Sequence, residues 1–359
     1  MKTHIKSIQY FRALSPLSKP IADATHSIDR IAFIVTRIEL DSGVTGESNL
    51  LAFNYSPAAI AGALRDIVPI AMEFEAWETG RFLQRAFAES EYFGNRGITR
   101  WAAGAINIAM WDAWGKTLGQ PVWKVLGTYR DEIPVYGSGG WLNYSMDELL
   151  AEVTGYAKRG FTAVKIKVGS PDVERDLERL ARVREAVGPH IRIMMDANQG
   201  MTVASAVALS RRALQFNIHW FEEPIANTDF DGYKYLRGTC GISLAMGERE
   251  FDTTALRELI RRDALDLWQP DILRLGGVEG WRESALLAHG AGIPVLPHYY
   301  KEYDLPLLCT VPNAAGCEWF DWSDSLIDQP ISFHNGVARP MPGAGWGFRF
   351  KEEYLTPLE

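Results

Sequence analysis

Cysteine is scarce: the 359-residue chain has three, Cys240, Cys309 and Cys317, and no C-x-x-C pair. That is too few and too unevenly placed for a disulfide framework, and a reducing compartment is expected. A surplus of positive charge is also missing. Against 45 acidic side chains stand 37 basic ones, a formal charge of −8, so the footprint needed for a phosphate backbone is lacking. No window holds eighteen uncharged apolar residues, which excludes a spanning helix. The opening MKTHIKSIQYF alternates polar and apolar residues instead of running into an apolar block, so no signal peptide is expected. Long runs of like charge are absent, and 47% hydrophobic with 23% charged residues is the composition of a folded chain. The expectation is a cytoplasmic protein with neither nucleic acid nor membrane as partner.

From about residue 133 a unit recurs: a β-rich run, a polar turn, an amphipathic helix, then another β-rich run. Ser145 and Glu148 form a capping-box sequence, Leu149, Leu150, Val153 and Tyr156 follow at helical spacing, and Gly160 stands at the end. Ser170 is placed to cap the next helix, with Pro171 in its first turn, and Gly188 to close it. Strands are expected at Ile133–Tyr136, Phe161–Val168, Ile191–Asp196, His219–Glu222, Ile242–Gly247, Leu265–Pro270, Ile293–Pro297 and Cys317–Phe320. Eight such runs, none reading as an edge, favour a closed TIM-type (β/α) barrel over an open sheet. Residues 1–130 differ, with β-rich runs at Ile5–Arg12 and Ile31–Asp41 and helical stretches at Ser56–Glu75 and Ile98–Lys116. They are expected to form an α+β domain, with 131–325 as the barrel and 326–359 as a segment that packs back on the first domain.

Ionisable residues fall at the carboxyl ends of the expected strands. Lys165 and Lys167 share one face of a strand, and Asp196 with Asn198 repeats that relation on the next. Glu222, Glu248, Asp271, His298 and Glu318 follow, 20 to 27 residues apart from Asp196 onward, about one βα unit each time. A barrel assembles its active site at one mouth in this way. Singly, each of these residues reads as a helix cap or a surface ion pair; their periodicity sets them apart.

Asp196, Glu222 and Glu248 on adjacent strands would repel unless a cation neutralised them, and an all-oxygen set suits Mg²⁺, with Mn²⁺ as a substitute. Glu223 is the lesser option as ligand, because neighbours in a strand face opposite ways and Glu223 would point into an ion pair. Beside such a metal, its positive charge and partial burial would depress Lys167 and free a basic amine, while Lys165 could stay charged and hold a substrate carboxylate. His298 lies one unit beyond Asp271, whose carboxylate would fix its tautomer and raise its pKa. Glu318 would bond a developing anion or merely cap the last strand. Two bases and a divalent cation are what α-proton abstraction from a carboxylate demands, since the enediolate needs that charge beside it.

The chain resembles the enolase superfamily, and within it the mandelate racemase subgroup. The likeness runs over essentially the whole sequence and rests on Trp111-Asp112-Ala-Trp-Gly-Lys116, Lys165-Ile-Lys167, Met195-Asp196-Ala-Asn198, Trp220-Phe-Glu222-Glu-Pro, Gly247-Glu248, Asp271-Ile-Leu-Arg-Leu-Gly-Gly277, His298 and Glu318. The resemblance implies a modified (β/α)7β barrel under an N-terminal capping domain completed by the C-terminal tail. It implies Mg²⁺ on Asp196, Glu222 and Glu248, and acid/base roles for Lys167 and the His298–Asp271 dyad. Lys165, Asn198 and Glu318 would hold the carboxylate and enediolate. A homo-oligomer of two to eight subunits is implied as well.

One site can serve two reactions on a small carboxylate substrate. An acid with only an α-hydroxyl would be racemised; one with a β-hydroxyl as well would lose water and give a 2-keto-3-deoxy acid. The loop Ile21–Arg30 offers Asp23, Thr25, His26 and Arg30, polar where a mandelate-specific loop looks apolar, and Ser138, Trp141, Tyr144 and Tyr55 could add contacts. Acid-sugar dehydration is therefore favoured over racemisation, and a binding protein without turnover is the remaining alternative.

Overall fold

The strand Ile5–Ser15 runs antiparallel to Ile31–Leu40, and that strand pairs with Thr45–Leu51. In this computed structural model, which describes residues 2–358, the helices Pro57–Ala71, Thr79–Ser90 and Ile98–Leu118 complete the N-terminal capping domain. The third strand and the second helix were not expected from the sequence. Helix Ile98–Leu118 is buried on nearly all sides, from Ala102 to Met110 without a break, because it lies between the cap sheet and the barrel. It approaches the sheet so closely at Gly46 that a Cβ there would overlap the Ala109 carbonyl. Toward the barrel, Asn107 accepts from Val278 N at 3.0 Å and donates to Glu279 Oε2 at 2.8 Å.

The tail returns to the cap. Thr356 and Pro357 pair with Arg12 and Phe11 at the free edge of the sheet. Buried Asp112 accepts from Glu47 N, from Trp346 N and from Lys116 Nζ, at 2.8, 2.8 and 2.5 Å, and so ties sheet, helix and tail together. Unsatisfied, such a buried carboxylate would cost several kcal/mol.

Seven parallel strands make the barrel ladder: Ile133–Gly139, Ala163–Lys167, Arg192–Asp196, Ile218–Glu222, Ser243–Met246, Leu267–Trp268 and Cys317–Trp319, the last closing on the first. Between the last two, the expected strand Ile293–Pro297 is reduced to parallel bridges at Val295, to Trp268 and Ala314. The reason is local, since Pro294 and Pro297 carry no N–H and leave only Val295 and Leu296 to donate. Proline also shortens Leu265–Pro270 at its carboxyl end. Helices follow the first seven barrel segments and none follows Cys317–Trp319, the (β/α)7β pattern.

Ser145 and Glu148 form the reciprocal capping box on helix Met146–Arg159, and Gly160 ends it at φ 97°. The expected Ser170 cap is corrected. Helix Val173–Val187 starts on Asp172, whose side chain accepts from Glu174 N at 3.0 Å, while Ser170 Oγ, two residues earlier, accepts from Asp172 N and Pro171 precedes the helix.

Candidate active site

Strand register sets the site. Lys167 stands beside Asp196, and Asp196 beside Glu222, at the carboxyl ends of the second, third and fourth barrel strands. A cavity of about 340 Å³ opens above them, between barrel mouth and cap. Lys165, Lys167, Asn198, Glu248, Asp271, His298 and Glu318 line it from the barrel; Asp23, His26 and Tyr55 do so from the cap.

Lys165 is buried, with Nζ 2.6 Å from Glu222 Oε1 and 2.7 Å from Glu318 Oε1. Lys167 Nζ lies 2.5 Å from Asp196 Oδ2 and 5.3 Å over the Trp141 ring. Burial pushes both ammonium groups down, but Glu222 with Glu318, and Asp196, outweigh it and hold both pKa values above the ordinary lysine value. The depression expected beside a metal concerns a different charge balance: here the groups facing the lysines are the protein's own carboxylates.

His298 Nδ1 is 2.9 Å from Asp271 Oδ2, and its Nε2 is 3.6 Å from Glu248 Oε2. Asp271 is held in turn by Leu273 N and Arg274 N, both 2.9 Å from Oδ1. Burial lowers the imidazole pKa, but Glu248 and Asp271 prevail and lift it to about 9, so the ring is cationic near neutrality. Glu318 Oε2 accepts from Tyr299 N at 2.9 Å, fixing the other oxygen toward Lys165.

Glu222 keeps to the barrel interior, where Gln269 Nε2 at 2.7 Å and Trp220 Nε1 at 3.3 Å hold its Oε2. Burial and the neighbouring Asp196, Glu318 and Glu248, against the opposing pull of Lys165, lift its carboxyl to about 7. Glu223, at φ 37°, turns away and pairs with Arg249 Nε at 2.8 Å. As the side chains stand, no three carboxylate, imidazole or thiol groups among the described residues converge on one point. Lys165 and Lys167 each draw one carboxylate aside. The donor chemistry nonetheless fits a hard divalent cation: three buried carboxylates crowd the mouth, and burial together with its anionic neighbours pushes one of them, Glu222, toward protonation.

From the cap, Asp23 accepts from Thr25 N and His26 N, both at 2.7 Å, and lies 3.2 Å from His26 Nδ1. Trp141 joins Phe320 and Trp322 in an aromatic wall, with Trp141 and Trp322 stacked at 6.0 Å between centroids. Asn198, at φ 42°, leaves its buried Oδ1 without a partner at the cavity. Four expected contacts do not reach it: Thr25 is one, bonded instead to the Asn198 carbonyl. Ser138 is buried on the first barrel strand and outside the lining, Tyr144 lies under Lys19, and Arg30 is exposed. Gln269, Arg274, Trp101, Tyr300 and Trp322 were not anticipated. The two-residue strand period from Asp271 back to Gln269 was the one signal that could have found a member of this group.

Comparison with known proteins agrees with this architecture. The profile of the mandelate racemase/muconate lactonizing enzyme N-terminal domain matches residues 6–127, and that of the enolase C-terminal domain-like family matches 148–354. L-talarate/galactarate dehydratase of Salmonella typhimurium is 29% identical over 97% of this chain and 89% of its own. A racemase of Streptomyces coelicolor crystallised with bound magnesium superposes with a TM-score of 0.93 at 27% identity, over 98% of this chain and 100% of that one. L-talarate dehydratase from a Polaromonas species, in complex with Mg and L-glucarate, gives 0.91 at 27% identity, over 98% and 97%.

Proposed function

The chain belongs to the mandelate racemase/muconate lactonizing enzyme family of the enolase superfamily, and from that premise we propose that it dehydrates an acid sugar to a 2-keto-3-deoxy acid. It is a Mg²⁺-dependent enzyme that removes the α-proton of a 2-hydroxy carboxylate. The observation that carries the reading is the His298–Asp271 pair at 2.9 Å, in the same cavity as Lys167. Held by Asp196, Glu222 and Glu248, Mg²⁺ would supply the positive charge that stabilises the enediolate and offsets the carboxylates now raising the lysines.

Lys165 and Asn198 orient the substrate carboxylate, and Glu318 positions Lys165. Lys167 takes the α-proton. His298 gives a proton to the departing β-hydroxyl, and Asp271 keeps Nδ1 engaged so that Nε2 faces the cavity. His26, Tyr55 and Trp141 contact the rest of the substrate. The cap shields the site from water.

Epimerisation is the second reading, favoured because Lys167 and His298 are two acid/base groups lining one cavity. Turnover of mono- and diacid sugars in D₂O separates the outcomes. The dehydratase yields a 2-keto acid, the epimerase gives α-deuterated product of inverted configuration, and a protein that exchanges no α-proton in any acid refutes both. We further read the enzyme as a cytoplasmic homo-oligomer of two to eight subunits; its three cysteines, all buried and free, accord with a reducing compartment.

A further inference from the structure

One arginine in the cavity lacks an answering anion. Two arginines line it, and Arg249 is tied to Glu223. Arg274, three residues beyond Asp271, lines the same cavity with its guanidinium carbon 4.9 Å over the Trp101 ring. Its side chain makes no hydrogen bond or ion pair to any described residue. Glu250, whose carboxyl feels the Arg274 charge, is bonded to Asn227 at 2.7 Å. Tyr300 stands nearby, but its hydroxyl is occupied with Leu51 N at 2.9 Å. A guanidinium stacked on an indole keeps its N–H edge free, and that edge matches a planar carboxylate in bidentate fashion.

We infer that Arg274 reads a second carboxylate at the far end of the substrate, so that the preferred substrates are hydroxylated dicarboxylates. The inference rests on the α-proton reading of the site, in which Lys165 and Asn198 already hold the carboxylate that reacts. A lone guanidinium suits a singly charged carboxylate better than a phosphate, whose second charge would call for further donors. The position is a specificity contact, because Arg274 touches the end of the substrate that does not react.

The test compares six-carbon aldarates with the matching aldonates on the Mg²⁺-loaded enzyme, before and after Arg274→Met and Arg274→Lys. The wild type should favour the diacid in kcat/KM. Arg274→Met should shrink that ratio by roughly tenfold to a hundredfold, the worth of a charge-assisted hydrogen bond, and Arg274→Lys should restore part of it. A ratio unchanged by Arg274→Met overturns the inference. So does an equal loss on both acids with a lowered melting temperature, since Arg274 would then only fasten Trp101 of the cap. Were no acid to exchange its α-proton, the parent reading would fail first. Calorimetric binding of the same aldarate and aldonate would still decide Arg274, by whether the substitution erases a preference for the diacid.

Discussion

The Thr25 hydroxyl lies 3.1 Å from the carbonyl oxygen of Asn198, across the seam between capping hairpin and barrel, and 2.8 Å from His26 Nδ1. The Asn198 backbone N–H meanwhile donates to Asp196 Oδ1 at 2.8 Å. One residue thus joins the specificity loop to a proposed metal ligand. Thr25→Val keeps shape and removes the hydroxyl, and it is expected to raise KM about fivefold with a smaller change in kcat, as the loss of one hydrogen bond would. A drop in kcat with KM constant would mean the latch acts on the chemistry instead.

Lys167→Ala and His298→Asn should each lower kcat by about 10²–10⁴, the span of general acid–base contributions. Circular dichroism and calorimetric Mg²⁺ binding should be retained. Turnover surviving in both variants would remove these residues from the mechanism.

The two adjacent glutamates should behave oppositely. Glu222→Gln is expected to weaken Mg²⁺ binding in a titration while sparing the melting temperature. Glu223→Gln leaves the Arg249 guanidinium without its partner at 2.8 Å, so it should cost about 3 kcal/mol of stability, as broken buried pairs do, with Mg²⁺ affinity little altered. The reverse pattern would make Glu223 the ligand.

Alkaline pH should destabilise the chelator-treated protein. The His298 pKa is raised from 6.5 to about 9, so its contribution is complete below about pH 6.5 and is lost as pH climbs through 9. Glu222, raised from 4.5 to about 7, adds a fall that begins lower. The melting temperature should therefore decline from about pH 4.5 to about 9, and His298→Asn should flatten the upper part of that decline. A profile for His298→Asn parallel to the wild type would assign the decline to other groups.

Much of the barrel could be read from the chain because one period carries two kinds of information. Asp196, Glu222, Glu248, Asp271 and His298 each close an apolar run, so the spacing that defines the βα unit also points to the mouth. Where local chemistry competes, the sequence reads less well. Pro294 and Pro297 flank an apolar run that cannot pair along its length, and Asp172 takes the cap that Ser170 seemed placed to provide. Contacts made by fold closure leave no periodic trace. Trp101 comes from the cap helix, Trp322 from beyond the last barrel strand, and Arg274 from the turn after Asp271, and only tertiary packing brings them to one cavity. The lysine charge state depends likewise on which carboxylate turns toward each amine.

The pairing of Thr356 and Pro357 with the first strand has a consequence for biosynthesis. That part of the cap-sheet edge stays open until Thr356 and Pro357 leave the ribosome, long after the barrel strands have emerged. Until then the nascent cap exposes unpaired backbone beside Tyr10 and Phe11, a surface on which another unfinished copy could dock, and a chain that stopped before Thr356 would carry that adhesive edge permanently.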